Sequence, residues 1–253
     1  MIDPTIPRKA PPRLTYAQQQ ERVAQKRALI LTFLASGEVY TSADVIAEML
    51  SCNRATAFRT LEAMESAGLV KSEIHEVLAK RLKVYGVTPH GLAHAGRFDA
   101  PFFELGRTNP SFIRHRLDGQ RMRLRAERAG WRDWQPERAL RESGLKKVPD
   151  AAAIAPNGER IAVEIERHCK TPKRYQAVIL SYLQEMKAGR FQQVHFVCPD
   201  GVETLVQRAF EHIPSVKFMG ETVKLEAAHR ARFSFYPFSS WPPAAAREVS
   251  RGQ

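Results

Sequence analysis

The sequence predicts a mixed α/β chain in two folded parts, and three observations predict it. The 253 residues carry 43% hydrophobic and 26% charged side chains, a globular balance on a chain long enough for two buried cores. Helical periodicities give way to a pair of strands by residue 87, and a second series of helices and strands begins beyond residue 110. Between the two, Gly96, Pro101, Gly106 and Pro110 interrupt helical patterning, so 97–110 reads as a linker.

Residues 1–15, rich in proline and basic side chains, read as a flexible basic arm. Tyr16 to Leu34 reads as a helix with Val23, Leu29, Ile30 and Phe33 on one stripe, stopped by Gly37. Thr41 and Ser42 offer caps for a short helix from Ala43 to Leu50. A third helix, Asn53 to Ala67, should turn Phe58, Leu61 and Met64 inward and Asn53, Arg54, Thr56, Arg59 and Thr60 outward, closing at Gly68. Strands from Leu69 to His75 and Arg81 to Val87 follow, joined by a charged loop, and Thr88-Pro89 starts another helix. These elements make the first unit, 16–96.

The second unit, 111–243, opens on a helix in which Phe112, Leu117, Met122 and Leu124 can face a core while Arg114, Arg116, Arg121, Arg123, Arg125 and Arg128 crowd the rest. A helix near Pro136 to Ser143 precedes two strands, Val148 to Ala155 and Arg160 to Glu166, flanking the turn Pro156-Asn157-Gly158. Lys173 to Met186 has helical spacing, Gln193 to Cys198 is a strand of buried type, Val202 to His212 a helix and Ser215 to Met219 a strand. The order α-β-β-α-β-α-β describes a three-layer α/β domain. Residues 244–253, small and polar, read as a disordered tail.

Lys plus Arg exceed Asp plus Glu by 39 to 27, a net +12, and twelve of the cations against five acids fall between Arg107 and Lys147. Polyanionic partners follow, with salt-sensitive binding. By itself this charge is equally compatible with duplex DNA, RNA or an acidic protein. The sequence contains no run of about 18 apolar residues and no apolar leader, so the expectation is a cytoplasmic protein with no membrane partner. Cys52, Cys169 and Cys198 are odd in number and scattered, which argues against a zinc site or a disulfide framework and leaves Cys198 as core filling.

Particular residues carry a resemblance. Ser51 to Val70, SCNRATAFRTLEAMESAGLV, resembles the recognition-helix segment of winged helix-turn-helix regulators, and Val84-Tyr85-Gly86-Val87-Thr88-Pro89 with Gly91 resembles the last wing strand and the helix after it. Physically, short polar and arginine side chains on an exposed helix can read base edges in a major groove, and Arg81 and Lys83 would meet phosphate or the minor groove. The alternative is that Arg54 and Arg59 form a solvated face. Further on, Pro149-Asp150 and Glu164-x-Glu166 resemble the motif of PD-(D/E)xK nuclease-like domains. Across both units, these features together with His115-x-Leu117, Trp134, Lys173-Arg174-Tyr175 and Tyr182 resemble the replication-relaxation family, which includes MobC-type mobilisation relaxases.

The resemblance implies an α+β winged helix-turn-helix domain followed by a three-layer α/β nuclease-like domain. It implies double-stranded DNA binding in plasmid or mobile-element mobilisation or replication, with nicking of origin DNA in active members. Asp150 and Glu164 would hold Mg2+ or Mn2+. Glu166 replaces the family lysine, with Lys170 or Lys173 placed to supply the cation. Arg121 and Arg125 would hold DNA backbone, and relaxosome or coupling proteins and a second copy of the chain are the protein partners implied. A non-enzymatic winged-helix transcription regulator or relaxosome accessory factor with a degenerate second domain is the alternative, as are carboxylates lying on a solvated sheet face. Tyr175 and Tyr182 lie on an amphipathic helix and read as core or interface packing.

Register makes the acidic motif testable. A strict two-residue Asn157-Gly158 turn would set Asp150 opposite Ile165, on the face away from Glu164 and Glu166. A shared site therefore requires an odd-length loop, a bulge or a kink at Pro149.

Overall fold

A computed structural model describes residues 14–244, so the arm and the tail fall outside the described residues except at their inner edges. The architecture is mixed α/β, with nine α-helices and three sheets among the described residues. Helix α1 (Tyr16–Phe33) starts on Thr15, whose hydroxyl accepts from the Gln18 N–H at 3.3 Å while the Gln18 side chain returns a bond to the Thr15 N–H at 3.0 Å. Ile30, Leu31 and Phe33 are buried, but Val23 and Leu29, expected on the core stripe, are exposed. The apolar stripe is real in sequence, yet only its C-terminal half finds a surface to cover it.

A wide turn at Leu34–Glu38, with Gly37 at φ +105°, leads into β1 (Tyr40–Ser42). This three-residue strand is too short to show as an alternation. Helix α2 (Ala43–Met49) is capped by Ser42, and α3 (Arg54–Ser66) by Asn53, whose side chain accepts from the Thr56 N–H at 2.8 Å. Strands β2 (Val70–Val77) and β3 (Lys80–Val87) run to a two-residue turn, Leu78-Ala79, both at positive φ. The connection is thus a tight turn, and its charges belong to the strands beside it. The sheet order is β1-β3-β2, and α4 (Pro89–His94) follows on a Thr88 cap.

The expected linker is mostly exposed but enters the core at Ala100 and Phe103. Phe103 is buried, its N–H bonds to the Val87 carbonyl at 2.9 Å, and its ring lies where a Cβ on Gly86 would stand. Helix α5 (Pro110–Arg128) then serves both halves of the molecule. Ile113, Leu117 and Leu124 pack with Phe33, Val45, Val84 and Phe103, whereas Met122 and Ala126 pack with Ala151, Ile161, Val163 and Val197 of the large sheet. Phe112, expected in the core, is exposed, and Ile113 holds that role.

The large sheet has the order β10-β7-β6-β5-β4: β4 (Arg132–Pro136), β5 (Ala151–Ile154), β6 (Arg160–Ile165), β7 (Gln193–Cys198) and β10 (Phe233–Pro237). β6, β7 and β10 run parallel, while β4 and β5 add as antiparallel strands. Short helix α6 (Glu137–Leu140) follows β4. Helices α7 (Pro172–Lys187) and α8 (Val202–Glu211) cover the face opposite α5, with Tyr175, Ile179, Tyr182, Val206 and Phe210 on Ala152, Ala162, Phe196 and Cys198. Strands β8 (Ser215–Phe218) and β9 (Glu221–Lys224) make a separate hairpin, and α9 (Ala227–Arg230) leads to β10. Neither β4, bulged between Arg132 and Gln135, nor β9, exposed throughout, carries the alternation by which strands are read. No described helix is long and apolar enough to cross a membrane.

Candidate functional site

The turn between β5 and β6 decides the acidic motif. The Ala155 N–H bonds to the Glu159 carbonyl and the Gly158 N–H to the Ala155 carbonyl, both at 2.9 Å, so the loop is the three residues Pro156-Asn157-Gly158. Its length is odd, as a shared site requires. The ladder pairs Ala151 with Val163 and Ala152 with Ala162, and continuing it places Asp150 opposite Glu164. One Asp150 oxygen accepts from the Ile165 N–H at 2.7 Å and the other lies 3.0 Å from His115 Nε2 on α5.

Each carboxylate of the motif faces a cation of its own chain. Lys147 Nζ stands 2.6 Å from Glu164, which also accepts from the Tyr182 hydroxyl. Lys170 Nζ stands 2.6 Å from Glu166. Burial works against the Asp150 carboxylate, but His115, the Ile165 N–H and Lys147 outweigh it and hold its pKa low. Glu164 goes the other way: burial and the Asp150 charge push it up, against Lys147 and Tyr182. His115 is raised, because Asp150 more than offsets the burial of the imidazole. Glu166 is raised by burial, with Lys170 opposing.

Of the residues expected to act here, Asp150, Glu164, Glu166 and Lys170 come together. Lys173 does not; it lies exposed in the first turn of α7. Lys147 was not expected, although a lysine three residues before Asp150, at the entry to β5, is a visible signal. His115 was flagged only through the family resemblance. Among the described residues no three His, Cys, Asp or Glu side chains stand in metal-ligating arrangement. As the side chains lie, Lys147 supplies Glu164 with the counter-charge a divalent ion would bring, so the set does not fit Mg2+ or Mn2+ without rearrangement.

On α3, Asn53, Arg54 and Arg59 are exposed and Thr56 and Thr60 half-buried, the latter bonded back to the Thr56 carbonyl at 2.9 Å. Arg54 pairs with Asp44 at 2.8 Å, both largely in solvent, which is a weak contact. Phe58, expected inward, is 39% exposed beside Tyr85, and Ala57 takes the buried position. Glu62 and Glu65, the acids of this helix, are engaged by β2 and β3. Lys83 lies 2.7 Å from Glu62 and 3.4 Å from Glu65, Tyr85 donates to Glu62 at 2.6 Å, and Ser72 donates to Glu65 at 2.6 Å. Lys83 is therefore an internal partner and not a free phosphate contact. Arg81 is exposed at the hairpin end.

The arginines of α5 are partly neutralised. Arg123 lies over the Phe33 ring and pairs with Glu38 at 3.2 Å and Glu127 at 2.7 Å. Arg121, Arg125 and Arg128 share the carboxylate of Glu48, each at 3.8 Å; Arg121 also lies 3.7 Å from Asp118, and Arg125 also reaches the Phe238 carbonyl. With Arg167, which also pairs with Asp118, four arginines meet two acids and the set stays cationic, though Arg121 and Arg125 are tethered. A cleft of about 390 Å³ runs beside them, into which Arg54, Arg81, Arg114, Arg121 and Arg167 project. Asp44 and Asp118 line the cleft as well, and Asp118 pairs with Arg167, whose pKa burial and then the nearby Arg114 charge lower. No family model and no curated protein matches this chain.

Proposed function

We propose that this chain is a double-stranded DNA-binding protein of plasmid or mobile-element mobilisation or replication. In this reading α1 to α4 with β1 to β3 form a winged helix-turn-helix, α3 enters the major groove, and the second unit is nuclease-like. The observation that carries it is the sorting of charge on α3. Its acids are engaged by β2 and β3, while Asn53, Arg54 and Arg59 face outward with, among the described residues, Asp44 alone in competition. Arg81 and Arg114, which line the cleft, extend the cationic surface for backbone phosphates.

Titrating labelled duplex from the DNA flanking its own gene tests this. Arg54→Ala with Arg59→Ala should weaken binding by about tenfold or more and lower the salt dependence by roughly one counterion per lost phosphate contact. Equal binding by variant and parent, or no duplex binding at low salt, overturns it.

The alternative within this reading, a regulator or accessory factor that binds without cutting, is favoured by the cation already on each carboxylate. A second reading, nicking with Mg2+ or Mn2+ at Asp150 and Glu164, is favoured by their facing positions across the ladder. It requires Lys147 to leave Glu164. Relaxation of supercoiled origin DNA that is lost in Asp150→Ala and Glu164→Ala supports nicking; binding without relaxation supports the regulator.

A further inference from the structure

On the other flank of α5 from the cationic cleft lies a second concavity. Residues 112, 115, 116 and 119 share one side of the helix at 100° per residue, while 114, 118 and 121 share the opposite side. The first side opens on a pocket of about 410 Å³, within the roughly 300–1,000 Å³ of small-ligand sites. Its composition is unlike that of the cleft. Phe102 and Phe112 stand on its walls 43% and 59% exposed, Tyr40 and Phe103 close it from below as buried rings, and Arg116 and Arg138 reach into it.

The two arginines are what make the pocket hungry for an anion. Neither has an acidic partner among the described residues; the nearby acids Glu104 and Glu137 are taken by Arg107 at 2.8 Å and Arg141 at 3.0 Å. Arg116 lies over the Tyr40 ring at 5.5 Å, which fixes its direction. Burial lowers the Arg138 pKa first, and then repulsion from Arg116 and Arg141. A ligand suited to this place is planar and apolar at one end and anionic at the other.

We propose that this pocket holds an unpaired nucleotide of single-stranded DNA, its base against Phe102 or Phe112 and its phosphate on Arg116 and Arg138. A paired base cannot enter a concave site, whereas an unstacked one offers the π-face that exposed aromatic rings accept without regard to sequence. Placement adds to chemistry. His115, Arg116, Glu137 and Arg138 line both this pocket and the small recess that contains Asp150, so a strand seated here passes beside the acidic cluster. The proposal deepens the DNA reading and rests on it for the class of polymer.

Fluorescence anisotropy of the full chain with a labelled oligothymidylate, run beside the duplex titration, tests it. Phe112→Ala, and separately Arg116→Gln with Arg138→Gln, should each weaken the single strand by about tenfold while leaving duplex affinity within about twofold. Arg54→Ala with Arg59→Ala should do the reverse. Phe112 is solvent-exposed, and the arginine pair supplies a readout independent of the ring. The proposal is overturned if the parent fails to bind oligothymidylate, if the variants bind it unchanged, if both DNA forms weaken together, or if an oligouridylate binds more tightly. Loss of duplex binding alone, with the single-strand pattern intact, would instead sink the major-groove reading and leave the pocket standing.

Discussion

His195 shows how one side chain sets a pH limit on the fold. It sits buried in β7 between Trp131, Tyr236 and Trp241, and its Nδ1 accepts from the Trp241 indole N–H at 3.2 Å. That bond needs Nδ1 bare, so the fold holds the neutral ring, and burial pulls its pKa from 6.5 down to about 4. The folded value is the lower one, so between these two values the unfolded chain takes up a proton that the folded chain refuses, and stability falls as pH falls. The full shift is worth about 3 kcal/mol at 1.36 kcal/mol per unit. His115 acts in the opposite sense, since its raised value gives stability that is present at low pH and fades as pH rises through it. His195→Gln keeps an acceptor for Trp241 and does not titrate. Its melting temperature should therefore fall less than the parent's between about pH 7 and pH 4.5, with midpoints followed by circular dichroism. Parallel curves would remove His195 as the cause.

At the scale of the element, one loop residue governs which face an acid occupies. Pro156-Asn157-Gly158 closes the β5–β6 hairpin with Gly158 at φ +86°, a region β-branched side chains avoid. Gly158→Val should cost about 1–3 kcal/mol, read as a shift of the urea midpoint, through strain in the turn, while Gly158→Asn should cost distinctly less because Asn tolerates this region. Equal losses in the two would place the cost outside backbone strain. The same loop marks the boundary of what the sequence could tell. Asn-Gly between two apolar strands announced a hairpin, and the need for an odd loop could be stated in advance. Whether the turn had two or three residues could not, because that choice belongs to the backbone hydrogen bonds of Ala155 and Gly158. Helices α2, α3, α7 and α8 were legible for the ordinary reasons of caps and 3.6-residue spacing. Phe58 and Phe112 were misplaced because apolarity on a helix does not say which flank a neighbour will cover. In the acidic cluster, the carboxylates were legible as a motif, but the salt bridges from Lys147 and His115 are tertiary and left only faint marks in the chain.

For the whole molecule, α5 decides how many units unfold. A linker at 97–110 would leave two independent domains, yet Ile113, Leu117 and Leu124 complete the core of the first part while Met122 and Ala126 complete that of the second. Gln120, fully buried between them, accepts from the Thr41 hydroxyl at 2.9 Å and donates to the Tyr40 carbonyl at 2.6 Å, fixing β1 on the helix. Burying each large apolar side chain is worth about 1.5–3 kcal/mol, so the three from α5 together contribute about 5–9 kcal/mol. That is as large as the whole stability of a small domain, about 5–15 kcal/mol. A fragment ending at residue 109 would expose Val45 and Val84 and leave Tyr40 and Thr41 without Gln120. The full chain should accordingly melt in one calorimetric transition, and the fragment should show no cooperative melt and should bind a hydrophobic dye. Two separated transitions in the full chain, or a fragment melting as sharply as the parent, would mean that the first part folds unaided and that α5 is only docked against it. A single transition would also give the arginines of α5 a second role. Holding Glu38 and Glu48 of the first part from a helix rooted in the second, they keep the α3 surface and the acidic cluster in one fixed relation.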